Sequence, residues 1–197
     1  MSTTDKMREN LNRYKSKATQ IRSDWTRSDE AKRQDLAALY SEASSTHAQL
    51  EEEYRTGVRK RLKETRKAAF SAPAMYGSDK ALQLMAYRDA LDRTSRTTDQ
   101  RTLSDMLARA EITGDAPLAR AVLWRGYELQ SEGLVRSYFE KYPDELPAWD
   151  AFMEAAEAQN LLEQRGVTLA AGVPAPEKPP EMGYTATASA GVGGESE

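Results

Sequence analysis

A long stretch near the start of the chain contains almost nothing that interrupts a helix. Residues 4–70 include no proline and a single glycine, Gly57, and they are rich in Ala, Glu, Lys, Arg, Gln and Leu. These residue types enter a helix at little cost, whereas glycine costs about 1 kcal/mol and proline about 3 kcal/mol in a helix interior. The first part of this chain of 197 residues is therefore predicted to form long helices.

An apolar stripe marks the first of these helices. Its members are separated alternately by four and three residues, which is the heptad pattern of helices that pack along one seam. They are Met7, Leu11, Tyr14, Ala18, Ile21 and Trp25. The pattern then stops, and Ser28 followed by two acidic residues is typical of a new helix N-terminus. We predict a break near residues 26–28.

The second helix carries a stripe that drifts around its axis. The stripe keeps heptad spacing up to Leu50 and then advances by four residues at each step. A helix over 29–70 would be about 60 Å long at about 1.5 Å per residue, which is long for a small domain. Two arrangements fit: a coiled coil, in which the six residues of the first stripe mediate self-association, or a hairpin in which that stripe packs on residues 36–62.

The middle of the chain, residues 71–165, holds most of the bulky apolar side chains and several turn residues. Asp79, Asp99 and Asp115 have the side chain that caps a helix N-terminus, and Gly114 is typical of a helix C-terminus. Gly133 is predicted to separate two further helices. No segment alternates with the period of two that marks a strand. This part is predicted to be a small helical bundle.

The last part, residues 166–197, is rich in Gly, Pro, Ala, Ser and Thr. Gly166 is predicted to end the last helix, and the segment after it has few apolar residues to bury. We predict a disordered tail. The whole is then an all-α protein with three parts: long N-terminal helices over 1–70, a small helical bundle over 71–165 and a tail over 166–197.

The composition excludes several kinds of chemistry. The chain has no cysteine and one histidine, so disulfides, thiolate metal sites, a cysteine nucleophile and a two-histidine zinc site within one chain are impossible. The nucleotide-binding and hydrolase motifs with fixed glycine, serine or histidine spacing do not occur. His47 is predicted to be a surface histidine on a charged helix face. We expect no catalytic residue, no metal ligand, no cofactor and no small-molecule substrate, and therefore a protein that is not an enzyme.

A short basic run is the sharpest local signal. Residues 55–67 contain seven basic residues and one acidic residue, and most of the basic residues share one connected helix face. The face comprises Arg55, Arg59, Lys60, Lys63, Arg66 and Lys67. Such a face can bind an acidic protein surface, can bind nucleic-acid phosphates without reading sequence, or can simply be solvated. The sequence leaves these three alternatives open.

Charge is also distributed unevenly along the chain. Residues 1–70 contain 16 basic and 11 acidic residues, and residues 143–197 contain 2 basic and 10 acidic residues. Such asymmetry suggests a charged partner or head-to-tail contacts between copies, unless solvated faces and the tail carry it. No apolar run approaches the length of a membrane span, and the N-terminal residues do not form a secretory signal. We expect a cytoplasmic protein with no membrane partner.

The stretch GDAPLARAVLWRGYELQSEGLVRSYFEKYPDELPAW, over 114–149, is similar in texture to segments of small helical proteins encoded among the virion-assembly genes of actinobacterial tailed phages. The order of heptad helix, charged helix, bundle and Gly/Pro tail resembles those proteins too. The resemblance implies a morphogenesis role, such as a scaffold-like or head-tail accessory protein located in the host cytoplasm or the virion. We therefore expect a homo-oligomeric assembly protein that binds a protein partner, with a nucleic-acid-associated protein as the alternative.

Overall fold

The computed structural model describes residues 1–73 and 79–183 of the chain, and within them every regular element is helical. The α-helices are α1 (Thr3–Ser23), α2 (Asp29–Phe70), α3 (Lys80–Ser95), α4 (Gln100–Thr113), α5 (Ala116–Glu128), α6 (Glu132–Lys141) and α7 (Leu146–Ala171). Short 3-10 turns lie at Pro143–Glu145 and Pro180–Met182. The prediction of an all-α helical protein is confirmed.

Side-chain caps fix the helix starts at the predicted residues. Ser28 Oγ accepts a hydrogen bond from the Ala31 N–H at 3.2 Å, so the break between α1 and α2 lies where the sequence predicts it. The three predicted aspartate caps each accept a hydrogen bond from a first-turn N–H, and they are Asp79, Asp99 and Asp115. These caps satisfy N–H groups that have no partner inside their own helix.

The turn between α5 and α6 differs from the prediction, because Gly133 lies inside the first turn of α6. The chain reverses at Gln130, which has a φ of 53°. The Ser131 N–H donates to Gly126 O at 2.8 Å and the Gln130 N–H donates to Tyr127 O at 3.0 Å. This pair of bonds is the Schellman motif, in which the left-handed position is usually glycine. Because a glutamine occupies it, the neighbouring glycine was a misleading signal.

The chain forms two compact units whose boundaries fall inside helices. The hairpin unit comprises residues 1–57 and 161–197, and the bundle unit comprises residues 58–160. The predicted divisions after residues 70 and 165 followed changes of composition, which mark loops. In the structure α2 and α7 each contribute residues to both units. The boundaries between the two units therefore lie inside these helices and not at the loops that the composition marks.

In the hairpin unit α1 lies antiparallel to α2. Asn10 Nδ2 donates to Ala43 O at 2.9 Å, and Lys6 Nζ contacts the Glu53 carboxylate at 3.2 Å. The predicted stripe faces α2 and is buried at four positions, Met7, Leu11, Tyr14 and Ala18. Trp25 lies beyond the end of α1 and is 90% exposed. Residues buried inside one chain cannot line a seam between copies, so the structure corrects the intermolecular assignment of this stripe and has the hairpin instead.

His47 is another correction, because its side chain is buried in the hairpin unit. The buried positions of α2 in this unit are Leu36, Ala43 and His47, separated by seven and four residues. His47 lies four residues after Ala43 and therefore shares its buried face of the helix. Its Nε2 lies 3.5 Å from Glu51 Oε1, and neither ring nitrogen has a hydrogen-bond partner among the described residues.

Order extends beyond the predicted start of the tail at residue 166. Gly166, with a φ of 74°, interrupts α7, but the helix resumes and ends at Ala171. Beyond it every third residue is buried: Val173, Pro176 and Pro179. A period of three is that of polyproline II, and prolines lose little entropy on ordering. Tyr14 Oη donates to Glu177 O at 2.6 Å and ties this segment to α1. The remainder of the predicted tail, 184–197, lies outside the described residues.

The bundle unit is built around α5, which contacts α3, α4 and α6. Its core contains an aromatic cluster in which Phe152 meets both Phe70 and Tyr127 edge to face. Two buried side chains hold the C-terminal end of α2 in this core. Arg120 Nη1 donates to Ala69 O at 2.9 Å, and Tyr87 Oη donates to Phe70 O at 2.8 Å. They satisfy carbonyls that a helix end leaves unpaired.

Candidate interaction surfaces of the bundle unit

A groove of about 860 Å³ opens on the surface of the bundle unit between the end of α5, α6 and the start of α7. Four side chains supply most of its apolar wall: Val135 and Phe139 from α6, and Leu146 and Met153 from α7. Leu146 and Met153 are each 40% exposed. Tyr127 and Trp149 are also part of the lining, and their rings stand edge to face with centroids 5.8 Å apart.

The helical spacing of α6 explains why its apolar side chains reach the groove. Leu134 and Tyr138 share one face and are buried in the core. Val135 and Phe139 follow each of them by one residue, lie on the adjacent face and are half-buried. Because four apolar positions exceed what a single core-facing stripe needs, this helix has apolar surface on two sides. The spacing of these four residues in the sequence is therefore a signal of this second apolar side.

One polar atom in the groove lacks a partner. Ser131 is the N-cap residue of α6, is 4% exposed and makes no capping hydrogen bond. Its Oγ is buried and has no hydrogen-bond partner among the described residues. A buried hydroxyl without a partner costs about 1–3 kcal/mol.

A row of charged residues on α6 borders the groove. Glu132, Arg136 and Glu140 all contribute to the lining and are spaced by four residues, so they form one line along the helix. None of the three forms an ion pair with another described residue. The groove therefore presents an apolar floor beside two carboxylates and one guanidinium that are free to bind charges of another molecule.

A second unpartnered apolar surface lies on α3, outside the groove. Leu82 is 58% exposed and Met85 is 65% exposed, and Leu84 is also exposed. The opposite face of the same helix is buried through Tyr87 and Ala90. The first half of this helix therefore exposes three apolar side chains, whereas its exposed residues from Arg88 onward are mostly charged.

The predicted basic face is only partly free. Arg55 lies in the hairpin unit, 3.8 Å from Glu51, and Lys60 lies 4.0 Å from Glu64. Arg66 places its guanidinium 4.8 Å from the centre of the Trp124 ring, a cation–π contact.

The other three members of the predicted face, Arg59, Lys63 and Lys67, are exposed and form no ion pair with another described residue. They lie in the bundle unit and are spaced by four residues along α2. The broad face that the sequence predicts is therefore reduced to a single basic row.

Over residues 1–73 and 79–183, no group of three or more histidine or acidic side chains is placed to hold a metal ion. None of the helices in the same ranges is both long enough and apolar enough to cross a membrane. Comparison with protein-family models, with curated proteins and with solved structures gives no match for this chain. The groove, the α3 face and the basic row are the features from which a function is inferred.

Proposed function

We propose that this protein is a non-enzymatic assembly protein whose copies associate through the groove of the bundle unit. The observation that carries the proposal is the groove itself, an apolar floor with exposed Leu146 and Met153 beside charged residues that form no ion pair with another described residue. A second copy is the occupant we favour, because the same unit also exposes an apolar helix face at Leu82 and Met85.

The energetic basis is modest for each side chain. Full burial of a leucine or methionine contributes about 1.5–3 kcal/mol, so covering the exposed part of Met153 would contribute about 1 kcal/mol. Several side chains of this kind are needed for stable association. The expected association is therefore weak to moderate, and it depends on protein concentration.

A role in virion assembly is part of this proposal and rests on the resemblance of residues 114–149 to phage assembly proteins. Scaffold-like proteins work through contacts between copies and through contacts with another assembly component. An apolar groove and an apolar helix face on one unit are surfaces suited to such contacts.

Light scattering after size exclusion tests the proposal on the full chain. We expect the mass to rise above the 22.0 kDa of one chain as the concentration increases. Met153→Lys places a charge on the groove floor and should keep the protein monomeric. Ile112→Lys is the matched control, since Ile112 is exposed on α4 and does not line the groove. A wild-type chain that stays monomeric at high concentration would contradict the proposal, as would association of Met153→Lys equal to that of the wild type.

The basic row on α2 supports a second candidate, a nucleic-acid-associated protein. Arg59, Lys63 and Lys67 are exposed and unpaired within the part of the chain that the structure describes, and phosphate binding requires only positive charge. Binding of a labelled DNA duplex should weaken with salt with a logarithmic slope of about −2.7 if all three residues contact phosphates. The triple alanine variant should lose this binding, whereas Arg93→Ala, on α3, should not. Absent or salt-independent binding would remove this candidate.

A further inference from the structure

We propose that the segment that occupies the groove is the first half of α3 from a second copy, which joins the copies head to tail. This inference rests on the proposed function and specifies its occupant. The groove and the α3 face are formed by different helices of the bundle unit, and none of the exposed α3 residues lines the groove of its own chain. Filling one with the other therefore requires two copies.

The apolar parts of the two surfaces are of the same kind. Leu82 and Met85 are three residues apart on α3, so they project from one side of the helix as neighbouring apolar side chains. The groove offers the side chains of Phe139 and Met153 and the ring of Trp149 to receive them. A helix that inserts apolar side chains at such spacing into a groove is a recurrent mode of protein recognition.

The charges of the two surfaces match in sign and spacing. Glu132 and Glu140 border the groove eight residues apart on α6, which is about 12 Å along a helix. Lys80 and Arg88 are also eight residues apart on α3, and neither forms an ion pair with another described residue. Two helices aligned side by side can thus pair both acids with both bases.

The direction of the two helices follows from their dipoles. An antiparallel arrangement sets the N-terminus of one helix beside the C-terminus of the other, where the partial charges are opposite. Lys80 then meets Glu140, and Arg88 meets Glu132. Arg136, midway between the acids, faces Leu84, over which its aliphatic stem can lie while its charge stays in water.

The contact is heterologous, because the two surfaces that meet are different. Each association leaves one groove and one α3 face unoccupied at the two ends of the complex. Such a contact forms open chains, or a ring where the rotation between copies closes. The smallest such ring has two copies, each of which fills the groove of the other.

A complementation experiment tests this inference. Met153→Lys blocks the groove and leaves the α3 face intact, whereas Met85→Lys blocks the α3 face and leaves the groove intact. Both residues are exposed, so both variants should fold, which circular dichroism would verify. Alone, each variant should associate at least about tenfold more weakly than the wild type, which corresponds to about 1.4 kcal/mol. Mixed in equal amounts, they should form a complex of two chains and nothing larger.

The outcomes separate the inference from the proposed function. If Met153→Lys is monomeric while Met85→Lys associates like the wild type, the groove mediates assembly but α3 is not its occupant, and only this inference fails. If neither variant associates less than the wild type, or if the wild type is monomeric, both fail. Mixed variants that remain monomeric would overturn the head-to-tail contact.

Charge reversal provides an independent check of the register. Replacing Glu132 and Glu140 by lysine should weaken association with the wild-type α3 face by about threefold to tenfold, the range expected for partly exposed ion pairs. A partner in which Lys80 and Arg88 are both replaced by glutamate should restore it. Restoration identifies the pairing, and equal association of all charge combinations would exclude it.

Discussion

Replacement of Arg120 by methionine should destabilise the bundle unit far more than replacement of an exposed arginine. Arg120 is 8% exposed and donates from three nitrogens: Nη1 to Ala69 O, Nε to Tyr138 Oη at 3.2 Å, and Nη2 to the Glu145 carboxylate. Burial alone would lower the pKa of Arg120, but Tyr138 and Glu145 outweigh it and the pKa is raised. The guanidinium is therefore held charged in the core.

The magnitude follows from what the substitution leaves behind. Methionine fills most of the space of the arginine stem but removes all three donors. Breaking a buried ion pair by deleting one partner costs about 3–5 kcal/mol. The Glu145 side chain is 32% exposed and can regain water, so the lower end of that range applies, about 3 kcal/mol.

Urea unfolding followed by tryptophan fluorescence measures this loss, since Trp124 and Trp149 lie beside the core. Arg61→Met is the matched control in the same unit. Arg61 pairs with Glu154 at 2.8 Å, but both side chains are more than half exposed, and such a pair contributes about 0–1 kcal/mol. If Arg120→Met reduces the free energy of unfolding no more than Arg61→Met does, the described role of the buried network is wrong.

Three further predictions concern single positions. Burial raises the pKa of Tyr87 to about 12, partly opposed by Arg120, so the stability that its neutral form contributes is complete below pH 10 and is lost as the pH rises to 12. Alkaline titration of unfolding should show a loss that is roughly 3 kcal/mol larger in the wild type than in Tyr87→Phe, in which the other buried tyrosines still titrate. A Cβ added at Gly57 would meet no atom within 4 Å, so Gly57→Ala should raise the free energy of unfolding by up to about 1 kcal/mol. A Cβ added at Gly126 would lie 3.2 Å from Leu134 Cβ, so Gly126→Ala should not give this increase. Gln130→Gly should increase the free energy of unfolding by about 1 kcal/mol, because glycine adopts a positive φ without strain. The melting temperature should therefore rise, and an unchanged or lower melting temperature would contradict this.

The sequence predicted well what is decided locally. Helix starts at Asp99 and Asp115 and the break before Ser28 depend on a side chain within three residues of the N–H that it caps, so spacing alone reveals them. The long α2 follows from the absence of proline and from helix propensity. These parts of the fold need no knowledge of distant residues.

The sequence did not predict features that depend on which distant residues pack against a given side chain. Heptad spacing on α1 indicates that its apolar stripe packs against another helix. It does not indicate whether that helix is α2 of the same chain or belongs to another copy. Burial of His47 depends on which face of α2 the rest of the hairpin unit covers, and that is not evident from the spacing on α2 alone. The composition of the segment around Pro176 predicts disorder, whereas its buried residues follow a period of three, which composition does not reveal.

The candidate site was predictable only in part. The basic row remains at Arg59, Lys63 and Lys67. The other three members of the predicted face contact Glu51, Glu64 and the Trp124 ring, which reduces the face. The groove was not predicted, because it arises from the packing of α6 beside α7. The unusually broad apolar surface of α6 was its one signal in the sequence.

The most direct measurement of the central claim is site-specific cross-linking between copies. The chain has no cysteine, so each introduced thiol is unique. Oxidation of a mixture of Met153→Cys and Met85→Cys should give a disulfide-linked product of twice the mass of one chain, more rapidly than either variant alone. A mixture of Met153→Cys and Ile112→Cys is the control and should react slowly. Equal rates in the two mixtures would contradict assembly through the groove and the α3 face.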